Sequence, residues 1–204
     1  IYKPARVVSG DLFDYFFIDD DNLIFTNGDV SGKGVPAAIF MSIAQTIIKS
    51  NAVHKMAKYI VNKANKELCT NNQHQFFVTL FLGVLNLKKG KLHYCNAAHT
   101  SAILLKSDGR TEMLNHSHGL PLGLYAERDY GDSSILMEKG DTIILYTDGI
   151  TELHDIHNNQ FGFERFRELL KPLAGTSPAS MGKSIERKLK SFQGKAQQYD
   201  DMTL

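Results

Sequence analysis

The chain has 204 residues, 43% apolar and 22% charged, with 16 Gly, 5 Pro and 2 Cys; this composition supports a sizeable core and excludes collagen, disordered tails and disulfide miniproteins. Lys and Arg number 23 against 22 Asp and Glu, a formal net charge of +1. No long basic run appears, so the electrostatic footprint of a nucleic-acid binder is missing and no nucleic acid is expected as a partner.

In chain order, alternating apolar and aromatic runs come first, LFDYFFI (12–18) and LIFTNGDV (23–30) around DDDN (19–22), which predicts a β-hairpin with an acidic tip. After Gly34 the texture turns helical, with Pro36 in the first turn and Val35, Ile39, Ile43 and Ile47 recurring every four residues. A second helix carries Met56, Ile60, Ala64 and Leu68, and both helices are expected to lie on a core by these faces. From Phe76 come short β-rich runs: FFVTLFLGVLNL, KLHYCNAA, SAILL, TEML, SSILME and TIILYT. The polar turns KKG (88–90), SDG (107–109) and EKGD (138–141) separate several of them, an antiparallel meander. Helical texture returns at FGFERFRELL (161–170) and, after Pro178, at Met181, Ile185 and Leu189, before DDMTL (200–204) opens another strand. No repeat or low-complexity linker interrupts residues 1–204, so one domain is expected. Strands grouped apart from helices predict an α+β fold with two facing sheets and helices outside.

Cys69 and Cys95 lack CxxC or Cys/His ligand spacing; they read as reduced thiols rather than a bridge or a zinc site, which favours the cytoplasm. No apolar run approaches the roughly 18 residues that span a bilayer, so no membrane contact is expected of this domain. Residue 1 is Ile rather than Met, and the chain is expected to be a piece of a longer protein.

Four acids end or follow apolar strands and sit in Gly-containing or acidic turns: Asp11 in VSGD, Asp29 in NGDVSGKG, Asp148 in YTDG and Asp200 in YDDMT. A strand end gives a carboxylate rigid support, and a neighbouring glycine admits close backbone approach. Several carboxylates converging on one spot repel unless a cation lies between them. All-oxygen ligation without Cys or paired His suits Mg²⁺ or Mn²⁺ rather than zinc. Taken singly, an Asp beside Gly is most often a turn residue, and Asp108 and Asp141 are left in that class. The DDD tip at 19–21 fails the calcium-loop pattern, because Leu23 stands where the third oxygen ligand belongs.

GDVSGKG is not a phosphate-cradling P-loop: three residues separate Gly28 from Gly32 instead of four, and Gly34 follows Lys33 where Ser or Thr belongs. Lys33 is left as a loop cap, a surface lysine or a substrate-binding residue beside an anionic group. The pairs His116/His118 and His154/His157 match no zinc pattern and read as solvated loop residues. His99, flanked by strands in NAAHTS, reads as a satisfied core or supporting histidine.

VSGDLFDYF, GDVSGKGVPAAIFMS, FFVTLFLGVLN, LHYCNAAHTSAILL, GLPLGL, GDTIILYTDGITE, FGFERF and DDMTL occur in the order found in bacterial PP2C-like (PPM) serine/threonine phosphatases of the SpoIIE/RsbU type, which the chain resembles from Val8 to Leu204. The resemblance implies an α-β-β-α sandwich, two antiparallel sheets flanked by helix pairs, with an acidic cluster holding two divalent cations, Mn²⁺ or Mg²⁺. It implies that Asp29 bridges the metals with the backbone carbonyl of Val30, and that Asp11 sits beside them. Asp148 and Asp200 bind one metal each or share them. Asp201 replaces Asp200 if the other member of the pair points inward, and Asp14 is a further candidate. Asp29 and Asp148 are the residues whose loss is expected to abolish turnover. Hydrolysis by a metal-activated water needs no phosphoenzyme, so neither cysteine is expected to matter.

The chain departs from the eukaryotic pattern in having no histidine two residues after Asp29 and no arginine within Val8–Asp11. NAAHTS stands where the bacterial group usually has NAGHNP, with Ala98, Thr100 and Ser101 at the variant positions. Such domains usually follow a sensory domain and dephosphorylate an anti-sigma-factor antagonist. The expected partners are therefore a phosphorylated antagonist or similar phosphoprotein, an upstream sensory domain in cis and a second copy as homodimer. The helices within 35–70 are the expected regulatory surface. Two other readings stay open: a catalytically weak partner-binding module of the same fold, and a metal-dependent phosphoesterase acting on a small molecule.

Overall fold

The computed structural model describes residues 1–70 and 72–204. After a two-residue strand β1 (Tyr2–Lys3), the predicted hairpin forms from β2 (Asp11–Phe17) and β3 (Asn22–Val30). Asp19 closes it, its carboxylate accepting the backbone N–H of Asp21 at 2.9 Å and of Asn22 at 2.8 Å, the local bonding that makes Asp a turn residue. Helices α1 (Val35–Asn51) and α2 (Ala57–Thr70) follow. Pro36 supplies the fixed φ of the first turn of α1 and has no N–H to leave unpaired there.

The middle of the chain carries β4 (Val78–Asn86), β5 (Lys91–Ala97), β6 (Ala102–Leu105), β7 (Thr111–Leu114), β8 (Ser133–Leu136) and β9 (Thr142–Ile144). The last part has a single-turn helix α3 (Asp148–Thr151), then α4 (Phe163–Leu170), α5 (Pro178–Gln193) and β10 (Met202–Thr203). Ser177 caps α5, its hydroxyl accepting the Ser180 N–H at 3.3 Å. One antiparallel sheet has the order β2-β3-β4-β5-β8, a second the order β7-β6-β9, and β1 pairs with β10. The predicted meander is corrected here. The chain changes sheets between β5 and β6, returns for β8, and leaves again for β9. Turn signals predict that strands reverse; they carry no record of which sheet the next strand joins.

Alternation along the strands sorts the side chains into three cores. Ile24 and Val30 of β3, with Leu80 and Leu82 of β4, pack under Ala37, Ala44, Ile60 and Leu68 of α1 and α2. Phe25, Phe81 and Tyr94 point the other way and meet Ala102 and Leu114 of the second sheet. Ile103 and Ile144 pack on Phe166, Ile185 and Leu189 of α4 and α5. The four layers are thus helix pair, sheet, sheet, helix pair, the anticipated α+β sandwich. Phe166 and Ile60, both at 0% exposure, each contribute roughly 1.5–3 kcal/mol through burial.

The buried face of α1 differs from the predicted one. Ala37, Phe40, Ala44 and Ile48 face the sheet, whereas Val35, Ile39 and Ile43 are 61%, 56% and 47% exposed. This helix is apolar on two faces, so a four-residue spacing fits both. The face with small Ala37 and Ala44 lets the helix axis approach the sheet. In α2 the predicted Ile60, Ala64 and Leu68 are buried, and Met56 lies outside the helix and exposed. Both cysteines are free, and burial pushes the Cys95 thiol up to about 12. Among the described residues no helix is long and apolar enough to cross a membrane.

Candidate active site

The inner face of the larger sheet is apolar at one end, where Phe25, Phe81 and Tyr94 lie, and acidic at the other. Hairpin register makes Asp11 and Asp29 cross-strand partners, with Asp29 also opposite Thr79 of β4. Cβ atoms of such a pair lie about 5 Å apart, and like charges directly opposite destabilise a sheet. The same alternation turns Asp14 away from them to the helix side, where it pairs with Lys49 at 3.4 Å. The structure therefore removes Asp14 from the candidate site.

Asp11 is braced from the second half of the molecule. Its Oδ2 accepts the hydroxyls of Thr147 at 2.8 Å and Thr203 at 2.5 Å. Thr203 N–H in turn donates to Thr147 Oγ1 at 3.0 Å. Burial raises the Asp11 carboxyl to about 6, against the pull of these two hydroxyls. Asp29 is pushed further, to about 8, by burial first and then by the charges of Asp11, Asp148, Asp200 and Asp201. Asp148, the first residue of α3, is also raised, by burial and then by Asp200. The next residue is necessarily glycine: a Cβ on Gly149 would overlap the Asp201 carbonyl oxygen. Close approach of α3 to the segment before β10 thus carries Asp148 to the acids of the DD pair.

Asp200 and Asp201 have different surroundings. Asp201 accepts Ala5 N–H at 2.7 Å on Oδ1, and Ser9 Oγ–H and Gly10 N–H, both at 2.8 Å, on Oδ2. Its carboxylate is engaged in clamping the segment that leads into Asp11. Asp200 Oδ2 instead pairs with Lys33 Nζ at 2.9 Å, with both side chains about 40% exposed. Lys33 also donates to the Tyr199 carbonyl at 3.0 Å. The Val30 side chain is buried against α1, and its carbonyl oxygen stands over Gly10. Asp108 and Asp141 serve turns, each beside a basic partner, Arg110 and Lys106.

The oxygen-only donors suit a hard divalent cation. Burial and then neighbouring carboxylates raise the proton affinities of Asp11, Asp29 and Asp148, a cost that a cation would offset. Among the described residues no three acidic, imidazole or thiol groups already converge as a ligand sphere; Asp201 is held by Ala5, Ser9 and Gly10, whereas the candidate set Asp11, Asp29, Asp148 and Asp200 makes no such array of backbone contacts. Sequence reasoning passed over the supports of this set, Ser9, Thr79, Thr147 and Thr203. The two that brace Asp11 were marked only by their places inside YTDG and DDMTL.

The sequence profile of the family described as Stage II sporulation protein E (SpoIIE) matches residues 19–204. Protein IcfG of Synechocystis sp. is 31% identical over 198 residues, covering 83% of this chain and 31% of that protein. Phosphoserine phosphatase RsbU of Bacillus subtilis is 29% identical over 207 residues, covering 100% of this chain and 60% of RsbU. The chain thus spans less than two thirds of either relative. Among solved structures, the SiaA-PP2C domain of Pseudomonas aeruginosa superposes with a TM-score of 0.89 at 21% identity, covering 99% of this chain and 81% of that one. The sandwich is accordingly a PP2C fold, and the chain belongs to the SpoIIE family, as a bacterial PP2C-like serine/threonine phosphatase domain of the SpoIIE/RsbU type.

Proposed function

We propose that this domain hydrolyses a phosphoserine or phosphothreonine ester on a regulatory protein, with Asp11, Asp29, Asp148 and Asp200 holding two divalent cations, Mn²⁺ or Mg²⁺. The observation that carries the reading is the cross-strand pair of buried Asp11 and half-buried Asp29, mutually repelling, with the charges of Asp148 and Asp200 acting on it from the other end of the chain. Cations bound there would make a water nucleophilic near neutral pH and offset charge on the phosphoryl oxygens.

The protein's own residues supply the frame. Thr147 and Thr203 orient Asp11 from one side, and Asp201 holds the Ala5–Gly10 segment so that Asp11 stays opposite Asp29. Asp201 acts as a structural carboxylate in this reading, and the Val30 carbonyl is retained as a backbone donor. Lys33 is free to turn to a phosphate oxygen once Asp200 takes a cation in its place. A thiol nucleophile has no support: Cys95 faces the helix layer with its thiol pushed up to about 12, and burial raises the Cys69 thiol too. The substrate proposed is an anti-sigma-factor antagonist, as the RsbU likeness favours, with control from a preceding sensory domain or a second copy acting on α1 and α2.

Phosphate release from a phosphoserine protein and from p-nitrophenyl phosphate tests the reading, with Mn²⁺, with chelator and with Asp148→Asn. Activity is expected only with the cation and the native aspartate. Turnover that survives chelation or the substitution would overturn it.

A further inference from the structure

His99 lies in the loop between β5 and β6, 9% exposed, where the chain changes sheets. Its backbone is fixed by Asn96: the His99 N–H donates to Asn96 Oδ1 at 2.8 Å, and Asn96 Nδ2–H donates to the His99 carbonyl at 3.1 Å. Both ring nitrogens are engaged. Nε2 lies 2.9 Å from Asn27 Oδ1, and Nδ1 lies 2.8 Å from Thr79 Oγ1.

The bonds have one consistent direction. Asn27 Nδ2 donates to the Leu12 carbonyl at 3.3 Å, which leaves Asn27 Oδ1 as an acceptor. His99 Nε2 therefore carries the proton, and unprotonated Nδ1 accepts the Thr79 hydroxyl. Thr79 Oγ1 gives its proton to the 2.8 Å bond with His99 Nδ1 in preference to the Asp29 carbonyl at 3.3 Å, and accepts the Asp29 N–H at 3.3 Å. Burial holds the ring neutral by pushing it down to about 4, as this pattern requires. One end of the relay is the amide of Asp29, and the other is the carbonyl of Leu12, next to Asp11. The adjoining Thr100 hydroxyl bonds the Tyr146 carbonyl, two residues before Asp148.

We propose that His99, as the Nε2–H tautomer, is a positioning residue for the cation site, setting the separation of Asp29 and Asp11 through Thr79 and Asn27. The inference rests on the phosphatase reading of that acidic pair. Histidine suits the place because its two nitrogens, on opposite sides of a rigid ring, donate in one direction and accept in the other. Groups that orient metal ligands in this way are typically worth 10–100-fold in metal affinity.

Thr79→Val removes the relay hydroxyl at nearly constant volume, and Thr79→Ser restores it. Calorimetric Mn²⁺ titration is expected to show binding weakened about 10-fold or more in the Val variant and within about threefold of wild type in the Ser variant. With near-UV circular dichroism unchanged and Mn²⁺ saturating, kcat for p-nitrophenyl phosphate falls in the Val variant while KM holds. Nitrogen-15 NMR of the imidazoles in chelator should show His99 protonated at Nε2 only. Wild-type Mn²⁺ affinity in Thr79→Val, or a proton on Nδ1, would overturn the inference. Wild-type protein that neither binds Mn²⁺ nor releases phosphate would instead defeat the phosphatase reading, and the inference with it.

Discussion

Asp29→Asn is expected to stabilise the protein in chelator while ending its turnover. Burial and the surrounding carboxylates push the Asp29 carboxyl from its ordinary 3.8 up to about 8. Between those limits the folded chain keeps a proton that the unfolded chain releases, so the unfolding free energy falls as pH rises through the window. At about 1.4 kcal/mol per pH unit, the loss accumulated by pH 7 is at most about 4 kcal/mol. Rotation of the side chain toward water recovers part of this. The expected gain from Asn is about 1–3 kcal/mol, or roughly 3–10 °C in Tm for a chain of this size. The substitution sacrifices no supporting bond, since the forces on this carboxyl are burial and four like charges. Thermal unfolding of both proteins in EDTA between pH 4 and pH 8 measures the effect. Their curves should nearly meet at the acid end, where pH lies close to the ordinary Asp value and little of the loss has accumulated, and separate toward pH 8. Saturating Mn²⁺ should reverse the order, because a cation at 100 times its Kd adds about 2.7 kcal/mol to the protein that binds it. Equal stability in chelator at pH 7.5, or a gap that does not widen with pH, would refute the reasoning.

The DD pair should separate stability from activity. Asp201→Ala strands three donors and is expected to cost about 2–4 kcal/mol in a urea titration. Asp200→Asn, losing one half-exposed ion pair, should cost under about 1 kcal/mol and still abolish phosphate release. Gly149→Ala forces a methyl into the Asp201 carbonyl, a backbone atom that cannot rotate away. Its Tm should fall by the equivalent of about 2–3 kcal/mol, with loss of Mn²⁺ binding. Ala98 holds φ 55 in the left-handed region, so Ala98→Gly should raise the unfolding free energy by about 0.5–1 kcal/mol, measured in the same titration.

The parts of the fold that could be read from sequence were those determined within a few residues. The hairpin followed from Asp19 and its alternating flanks, α1 from Pro36, and α5 from Pro178 with Met181, Ile185 and Leu189. Two features set by distant residues could not be read in that way. Sheet membership of β6, β8 and β9 depends on what each covers, and all are short apolar runs of similar texture. The orientation of α1 depends on how closely Ala37 and Ala44 approach β2 and β3, while the competing stripe Val35, Ile39 and Ile43 is equally apolar. In both cases the local pattern was correct, and the choice between its solutions was made by packing.

The site divides along the same line. A nearby glycine marked Asp11, Asp29 and Asp148, and the acidic pair before the last strand marked Asp200, but nothing in any one segment shows that they lie at one end of the sheets; that follows from hairpin register and from the bare backbone of Gly149. The roles of Asp200 and Asp201 were hidden for a related reason. Both precede β10, outside the regular alternation that would assign their sides, and only the amides of Ala5 and Gly10 distinguish them. A net charge of +1 also conceals how unevenly the acids are placed. Asp29 weakens the fold at neutral pH and is the ligand the proposed chemistry would depend on most, whereas Asp201, of the same residue type, strengthens the fold by accepting the Ala5 and Gly10 amides and the Ser9 hydroxyl. Two identical side chains within reach of each other's charge thus act in opposite directions, according to whether backbone amides or neighbouring carboxylates surround them.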